Sequence, residues 1–457
     1  MPAQPSMAYA TLSQTIPSAP YILSILPSPS GHLILRHPAP YLTIADPQTL
    51  QAIGVLQGGH TGNVSDVVVD EQAIWSGGKD GGVVRWDERE RKAAINFKAN
   101  VRKAVPVTSL AASESDHLII VGTEVVSSES HILFYDTRNP KTPAYSHSST
   151  HSDDITHLSL LPPTSTFTSA SSSTPLPLRL LLSASTDGLI ALSDMRESDE
   201  DEAVQAAENW GQSIASAGYF GGKVWGRSDM DSVAVWTIGR AEDEGLELGG
   251  LVEYPSEEFK FRTYDLPATN ANVVGPAGVK KDKVRSDYLV DVVPTLGLSK
   301  GGAPMTIVGT NEGDMVVQHY SGSAAPAYKP SAFLLSGPDT ATQKRGHKDV
   351  IRSLYHDVRN EAIYTGSEDG ALAGWSLAGM DKLRIGNPEV DDDGGDGRED
   401  VDSDDEGDEE SEIETDESGM DVDDEDEETE EGPRDGPILG RGAERREKRK
   451  DKRHQPY

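Results

Sequence analysis

The chain has 457 residues, no cysteine and a net charge of −35. The absence of cysteine excludes disulfides and thiol chemistry, and no run of eighteen or more apolar residues offers a membrane-spanning helix. The first thirty residues do not read as a signal peptide, because their apolar run, Tyr21 to Leu26, lies between Pro20 and Pro27 without a basic lead-in.

Residues 1–20 form an N-terminal segment whose strand-like stretch is Met7–Leu12. From residue 21 to 386, short alternating runs are separated by turn residues, the pattern of sheets with two unlike faces. The first group reads as strands Tyr21–Leu26, His32–Arg36 and Tyr41–Ile44. The second is the most regular, with Val64–Val69, Ala73–Gly77, Val83–Trp86 and Ala94–Phe97. A third runs from Val107 through Leu118–Gly122 and Ile132–Tyr135, its turn stretched by Glu124–Ser130. The fourth opens at His151 and ends its third strand at Ser193; inside it, Pro162–Pro177 is Ser/Thr/Pro-rich and reads as a disordered insertion. The fifth includes Lys223–Gly226 and Val233–Trp236. Ala241–Gly250 and a second insertion near 265–285, with the basic cluster Lys280 to Lys283, read as loops. The sixth has Tyr288–Val293, Met305–Gly309 and Met315–His319, and the seventh starts at His347.

One figure occurs twice at a fixed spacing: Gly59-His60, Ser76, Asp80 and Trp86, and again Gly346-His347, Thr365, Asp369 and Trp375. The aspartate follows the hydroxyl by four residues and precedes the tryptophan by six. His151, Ser183 and Asp187 form a third copy with Ser193 in place of the indole. The Asp-Gly step favours a two-residue hairpin turn. Between strands the carboxylate can accept from the imidazole, the imidazole donate to the hydroxyl, and the hydroxyl accept from the indole N–H.

These residues resemble the tetrad of the WD-repeat family. The resemblance implies an all-β, seven-bladed propeller with third strands ending near Ala45, Trp86, Tyr135, Ser193, Trp236, Gln318 and Trp375. Such a ring needs closing, since an open blade exposes a sheet edge. Met7–Leu12 is the expected outermost strand of the seventh blade, with Lys382–Ile385 as competitor. Further strings resemble the WD repeat-containing protein 89 family: Ile120 to Glu124 with Leu133 to Arg138, Thr150 to Thr156, Asp187 to Leu189, Asp287 to Leu289 and Gly309 to Gly313. That resemblance covers roughly residues 20–378 and implies a non-catalytic interaction protein, nuclear or nucleocytoplasmic.

His60, Ser76 and Asp80 could be mistaken for a hydrolase triad, but their duplication around a ring argues for structure. His151 to Asp154 supplies too few ligands for calcium, and no zinc pattern is available. Gly77 to Gly82 joins two strands, with no helix N-terminus to receive a phosphate. No enzyme, metal or cofactor is expected. Trp86-Asp87-Glu88-Arg89 matches the box that substrate receptors of cullin-RING ubiquitin ligases present to their adaptor. Tyr135-Asp136-Thr137-Arg138 is a looser copy, and Ser193 to Arg196 a degenerate one. An arginine beyond a strand end can make charge-assisted hydrogen bonds to a partner.

The charge is concentrated beyond the repeats. Residues 389–431 hold 27 acids against one base, within a tail over 387–433 too poor in apolar residues to fold alone. Such a tract is a low-affinity polyanion for basic clients such as histones or ribosomal proteins, and it disfavours direct nucleic-acid binding. Ser403 and Ser411, each with a glutamate three residues on, fit an acidophilic kinase. The basic segment 434–457 contains Arg445, Arg446, Lys448, Arg449, Lys450, Lys452 and Arg453, a nuclear-localisation pattern. The expected protein is nuclear and also cytoplasmic, monomeric within larger complexes, and bound neither to membrane nor to nucleic acid.

Overall fold

A computed structural model describes residues 5–17, 21–70, 72–162, 178–240, 245–267, 281–299, 302–322, 326–337, 346–378 and 380. Lys382–Ile385, most of the 162–177 insertion, the acidic tract, Ser403, Ser411 and the basic segment lie outside these residues. The described residues build seven antiparallel blades. Blade 1 comprises Ser24–Pro27, Leu33–Arg36, Leu42–Ala45 and Ala52–Leu56; blade 2, Val64–Val69, Ile74–Gly78, Gly82–Asp87 and Lys92–Lys98; blade 3, Val107–Ser113, Leu118–Thr123, Ile132–Asp136 and Tyr145–His147. Blade 4 comprises Ile155–Leu160, Leu180–Ser185, Leu189–Asp194 and Val204–Asn209; blade 5, Ile214–Phe220, Lys223–Ser228, Val233–Arg240 and Leu246–Tyr254. Blade 6 comprises Tyr288–Val292, Thr306–Gly309, Met315–Ser321 and Ala327–Leu335; blade 7, Ile351–Asp357, Ala362–Ser367 and Ala371–Ser376.

The repeat is kept in register around the ring. Ala45, Trp86, Tyr135, Ser193, Trp236, Gln318 and Trp375 pair with Leu33, Ile74, Ile119, Leu181, Val224, Thr306 and Ile363 on the second strands. Apolar side chains from adjacent blades interleave, as when Ile34, Leu42 and Ile44 of blade 1 pack with Val67, Ile74 and Trp86 of blade 2.

The N-terminal segment divides its work between two blades. Leu12–Thr15 pairs antiparallel with Ala371–Gly374 and supplies the outer strand of blade 7. Ser6–Tyr9 instead runs parallel to Ala332–Leu335 as a fifth strand of blade 6. The expectation that Met7–Leu12 would close blade 7 therefore misplaces the strand boundary. Alternation cannot identify it, because both strands come from one short apolar stretch broken at Ala10-Thr11. Two loop readings also change. Leu246–Tyr254 is the fourth strand of blade 5, and Thr263–Asp265 pairs with Lys283–Arg285 in a small hairpin.

Neighbouring blades are stitched at their inner strands by a recurring device. Each of blades 2, 3 and 4 carries a bulge whose extra residue is a hydroxyl: Ser65, Thr108 and Thr156. Their Oγ groups donate to the Val107, Ile155 and Ile214 carbonyls of the next blade, each at 2.6 Å. Between blades 7 and 1, Ser353 Oγ donates to Ile22 O at 3.1 Å. The position after the tetrad hydroxyl, or after its equivalent, faces the next blade too, and in blades 2, 3 and 7 it is glycine. A Cβ on Gly77, Gly122 or Gly366 would lie 2.4 Å from Val107 Cγ1, 2.8 Å from Ile155 Cγ2 or 2.4 Å from Ile22 Cγ2. Blades 1 and 5 place Arg36 and Arg227 there instead, and each faces an aspartate of the next blade, Asp66 and Asp291.

Burial pushes both carboxyls up to about 6, against Arg36 and the Leu110 and Val67 N–H groups for Asp66, and against Arg227 and the Val292 N–H for Asp291. The folded chain thus holds these protons more tightly than the unfolded chain, where carboxyls titrate at about 3.9. Their favourable contribution is complete below that value and is lost as pH rises through about 6. The melting-temperature difference between wild type and Asp66→Asn should accordingly move against the wild type from about pH 5 to about pH 7; a constant difference would contradict the titration. For ring closure, removing residues 1–10, which strips the fifth strand of blade 6, should cost less than removing 1–16. Removing 1–16 also strips buried Ile16 and opens blade 7, a loss on the order of 2–5 kcal/mol. Equal melting temperatures for the two truncations would show that Leu12–Thr15 does not hold the ring.

Candidate functional site

The three histidine sets are assembled as polar braces inside blades. In blade 2, Trp86 Nε1–H donates to Ser76 Oγ at 2.8 Å, and Ser76 Oγ meets His60 Nε2 at 2.7 Å. His60 Nδ1 faces Asp80 Oδ1 at 3.4 Å. Burial lowers the His60 pKa in spite of Asp80, so the ring is neutral. With the proton on Nδ1 toward the carboxylate, Nε2 accepts from the serine O–H. This reverses the imidazole-to-hydroxyl direction expected from the sequence, since a neutral ring has one donor. Burial would raise Asp80, but the Thr61 N–H, Lys98 ammonium, Gly82 N–H and Thr61 hydroxyl outweigh it and hold the carboxyl far below its usual range.

Blade 7 repeats this geometry: Trp375 Nε1 to Thr365 Oγ1 at 2.8 Å, Thr365 Oγ1 to His347 Nε2 at 2.7 Å, and His347 Nδ1 to Asp369 at 3.6 Å. In blade 4, His151 Nε2 meets Ser183 Oγ at 2.8 Å and Nδ1 lies 3.6 Å from Asp187. Burial opposes ionisation of Asp187, but His151 with the Ser152 and Leu189 N–H groups holds its pKa at about 2. The indole is missing there, and the buried Ser193 Oγ has no hydrogen-bond partner among the described residues. Blade 6 substitutes another network, in which Thr306 Oγ1 donates to Gln318 Oε1 at 3.2 Å and Gln318 Nε2 donates to Tyr264 OH at 2.5 Å. The turns differ from the two-residue hairpin read from Asp-Gly. Gly81, Gly188 and Gly370 take φ of 73°, 86° and 71° after the aspartate, each donating its N–H to the carbonyl three residues back. That is a type I turn followed by a left-handed glycine.

The Trp-Asp-x-Arg boxes lie at third-strand ends, on the face opposite the Asp80 turn. The first lines a groove between blades 1 and 2 with a volume of about 710 Å³. Its apolar wall is Ile44, Ile53, Ile74 and Trp86, and Arg85, Arg89 and Arg91 stand around it. Glu88 is spent on the fold: it accepts from Ser28 Oγ at 3.0 Å and Ser30 Oγ, and pairs with His32 Nδ1 at 2.8 Å. Burial raises Glu88, but Ser30, His32 and Ser28 together bring it below the ordinary carboxylate value. Asp87 Oδ1 accepts the Glu90 N–H at 2.9 Å. Arg85 is tied to Glu114 at 2.9 Å. Arg89 is left 86 % exposed, with Glu90 its nearest acid at 3.8 Å.

The other two boxes behave differently. Arg138 forks onto Asp136, Nε to Oδ1 at 2.9 Å and Nη2 to Oδ2 at 2.6 Å, and this pairing brings the Asp136 carboxyl to about 2. Arg196 forks onto Asp194 at 3.0 and 2.7 Å. Three boxes of equal spacing therefore present one outward arginine, Arg89, and two that their own aspartates hold. The groove's Arg91 and the Glu88 latch have no signature in a linear motif; both arise from contact with blade 1. Chemically, the groove can take an apolar side chain flanked by a carboxylate.

The braces carry a stability prediction. Ser76→Ala leaves the buried Trp86 N–H and His60 Nε2 unpartnered and should cost about 1–3 kcal/mol in urea unfolding. Ser183→Ala should cost less, because no indole depends on that hydroxyl. Equal costs would detach the indole bond from the brace.

No family model matches the chain. It is similar to an uncharacterized WD repeat-containing protein of Schizosaccharomyces pombe, 24 % identical over 336 residues, covering 72 % of this chain and 86 % of the relative. An uncharacterized WD repeat-containing protein of Saccharomyces cerevisiae is 29 % identical over 157 residues, 34 % of this chain and 35 % of that protein. Among solved structures, a chain of a mitotic checkpoint complex superposes with a TM-score of 0.51 at 12 % identity, covering 82 % of this chain and 94 % of its own. Seven blades in one register, the histidine braces and these relatives agree: the chain is a WD-repeat β-propeller.

Proposed function

We propose that the protein is a non-catalytic interaction scaffold, and that the groove between blades 1 and 2 is a partner-binding surface. The serine and threonine hydroxyls that imitate a nucleophile already accept the indole N–H, and their histidines are enclosed between strands. The observation that carries the reading is the exposed Arg89 guanidinium at the lip of an apolar groove, with no carboxylate forked to it. An arginine beside apolar surface is a common interface anchor.

The same observation supports the finer reading of a cullin-RING substrate receptor, with adaptor contact through Arg89 rather than Arg138. The 27 acids of residues 389–431 support escort of basic clients such as histones or ribosomal proteins. Nuclear placement rests on the basic segment from Arg445 to Arg453 and on the resemblance to the WD repeat-containing protein 89 family. Phosphorylation at Ser403 or Ser411 would add charge to the acidic tract.

Affinity purification of the full chain, Arg89→Ala, Arg138→Ala and a 389–431 deletion, with mass spectrometry, separates these readings. A ligase adaptor lost with Arg89→Ala and retained with Arg138→Ala is the expected result for the receptor. Basic clients lost only on deletion would make the acidic tract the working part. A partner set identical in all four samples would remove both the groove and the tract.

A further inference from the structure

The two most exposed large apolar side chains among the described residues, Met230 at 69 % and Phe261 at 65 %, lie near the junction of blades 5 and 6, each next in sequence to one partner of the Asp231–Lys260 ion pair. Met230 is in the turn between the second and third strands of blade 5, and Phe261 in the connection leaving its fourth strand. Both belong to the face of the Asp80 turn, opposite Arg89. Their neighbours in sequence are bonded to each other. Buried Asp231 takes Lys260 Nζ at 3.1 Å and Arg227 Nη2 at 2.8 Å, and Arg227 also donates to the Leu289 and Val290 carbonyls of blade 6.

Phe261 adopts φ of 60°, a left-handed conformation unfavourable for a bulky L-residue. Leu50 has a similar φ of 57° but is 1 % exposed, so burial offsets its strain. Phe261 has no comparable compensation. Its backbone is fixed all the same: its N–H donates to Ser286 O at 2.7 Å, the Arg262 N–H to Ser286 Oγ at 3.2 Å, and the Ser286 N–H to Arg262 O at 2.9 Å. A strained, well-anchored, exposed aromatic is the kind of outlier from which a functional role is inferred.

The charges around the ring select the partner. Lys260 is paired with Asp231, Arg262 with Glu258 at 2.5 Å and Lys283 with Asp265 at 3.3 Å. Arg285 lies over the Phe261 ring at 5.4 Å and forms no ion pair among the described residues. We propose that Met230, Phe261 and Arg285 form a docking knob for a protein partner that offers an apolar socket with a carboxylate at its lip. The socket covers the two apolar side chains and the carboxylate meets Arg285 across the ring. One cation without an acid among the described residues, beside two apolar groups, fits this partner better than a nucleic-acid backbone. The surface deepens the scaffold reading but does not depend on Arg89.

The test places a benzophenone amino acid at position 230 in the full chain, with position 358 as an exposed control on the opposite face, and crosslinks in extract of the source cells. The crosslinked segment is then mapped, and the partner purified. Affinity should fall at least tenfold for Phe261→Gly and for Arg285→Glu, and reversing the partner's carboxylate to lysine should restore binding to Arg285→Glu. Phe261→Gly should melt at the same temperature as the wild type or higher, since glycine relieves the backbone. Arg89→Ala should leave the crosslink intact, which separates this surface from the groove. The proposal is overturned by crosslinks no stronger than at the control position, by crosslinks confined to nucleic acid, by unchanged affinity of the variants, or by a Phe261→Gly variant that loses stability together with binding.

Discussion

The closure of the ring governs everything else in this fold. Blade 7 owns three strands after its histidine, and its fourth comes from Leu12–Thr15. Thr11 bonds to Gly374 through both its N–H and its Oγ, and Ser13 Oγ donates to Gly346 O at 2.9 Å. One short strand thus joins the two ends of the folded chain across a separation of 363 residues. The inner-strand stitches carry that closure on: Ser353 ties blade 7 to blade 1, and from blade 2 to blade 5 each hydroxyl fixes the carbonyl that precedes the next bulge. Without closure, neither face would hold its loops at fixed spacing, and the groove and the knob both lie where loops of neighbouring blades meet.

The polar braces of blades 2, 4 and 7 and the aspartates that face an arginine between blades solve opposite electrostatic problems. Asp80 sits at a turn, where several N–H groups and Lys98 reach it, and it remains ionised at a depressed pKa. Asp66 and Asp291 sit on inner strands between blades, with fewer donors, and burial dominates. The difference follows from backbone geometry. Turns direct several free N–H groups at one carboxylate, whereas most strand N–H groups are taken by their ladders, which leaves Asp66 the Val67 and Leu110 N–H groups and Asp291 that of Val292. Arg36 and Arg227 therefore fill from their own blade, at two junctions, the space that glycines leave to the next blade at others, at the expense of placing charge inside it.

The repeat was legible because its signals are local. Hydroxyl, aspartate and tryptophan fall at fixed intervals set by strand length and turn type, so all seven third strands could be aligned from spacing, including those ending at Ser193 and Gln318. What spacing did not expose was where separate blades meet. The split of the N-terminal stretch between blades 6 and 7 depends on the edges those blades leave open. The hairpin of Thr263–Asp265 with Lys283–Arg285 has the composition of a loop and is a satellite of the ring. Gly77, Gly122 and Gly366 could be read as turn formers or as spacers, and the structure makes them spacers, since the next blade occupies the place of a Cβ.

The three Trp-Asp-x-Arg copies show how a motif of constant spacing acquires different meanings. In blades 3 and 4 the aspartate caps the N–H two residues on, at Arg138 and Arg196, and this draws the guanidinium back into a fork. In blade 2 Asp87 caps the N–H three residues on, at Glu90, and the turn opens by one residue. Glu88 is what fastens that turn in place, because its carboxylate reaches across to Ser28, Ser30 and His32 of blade 1. Thr137 and Met195 occupy the equivalent position in the other copies and carry no carboxylate. The outward arginine is thus a product of the joint between blades 1 and 2, and the same joint forms the apolar wall beside it. A guanidinium that no carboxylate of the described residues forks, mounted next to a groove that the described residues leave open, is a surface with unmet interactions of both kinds.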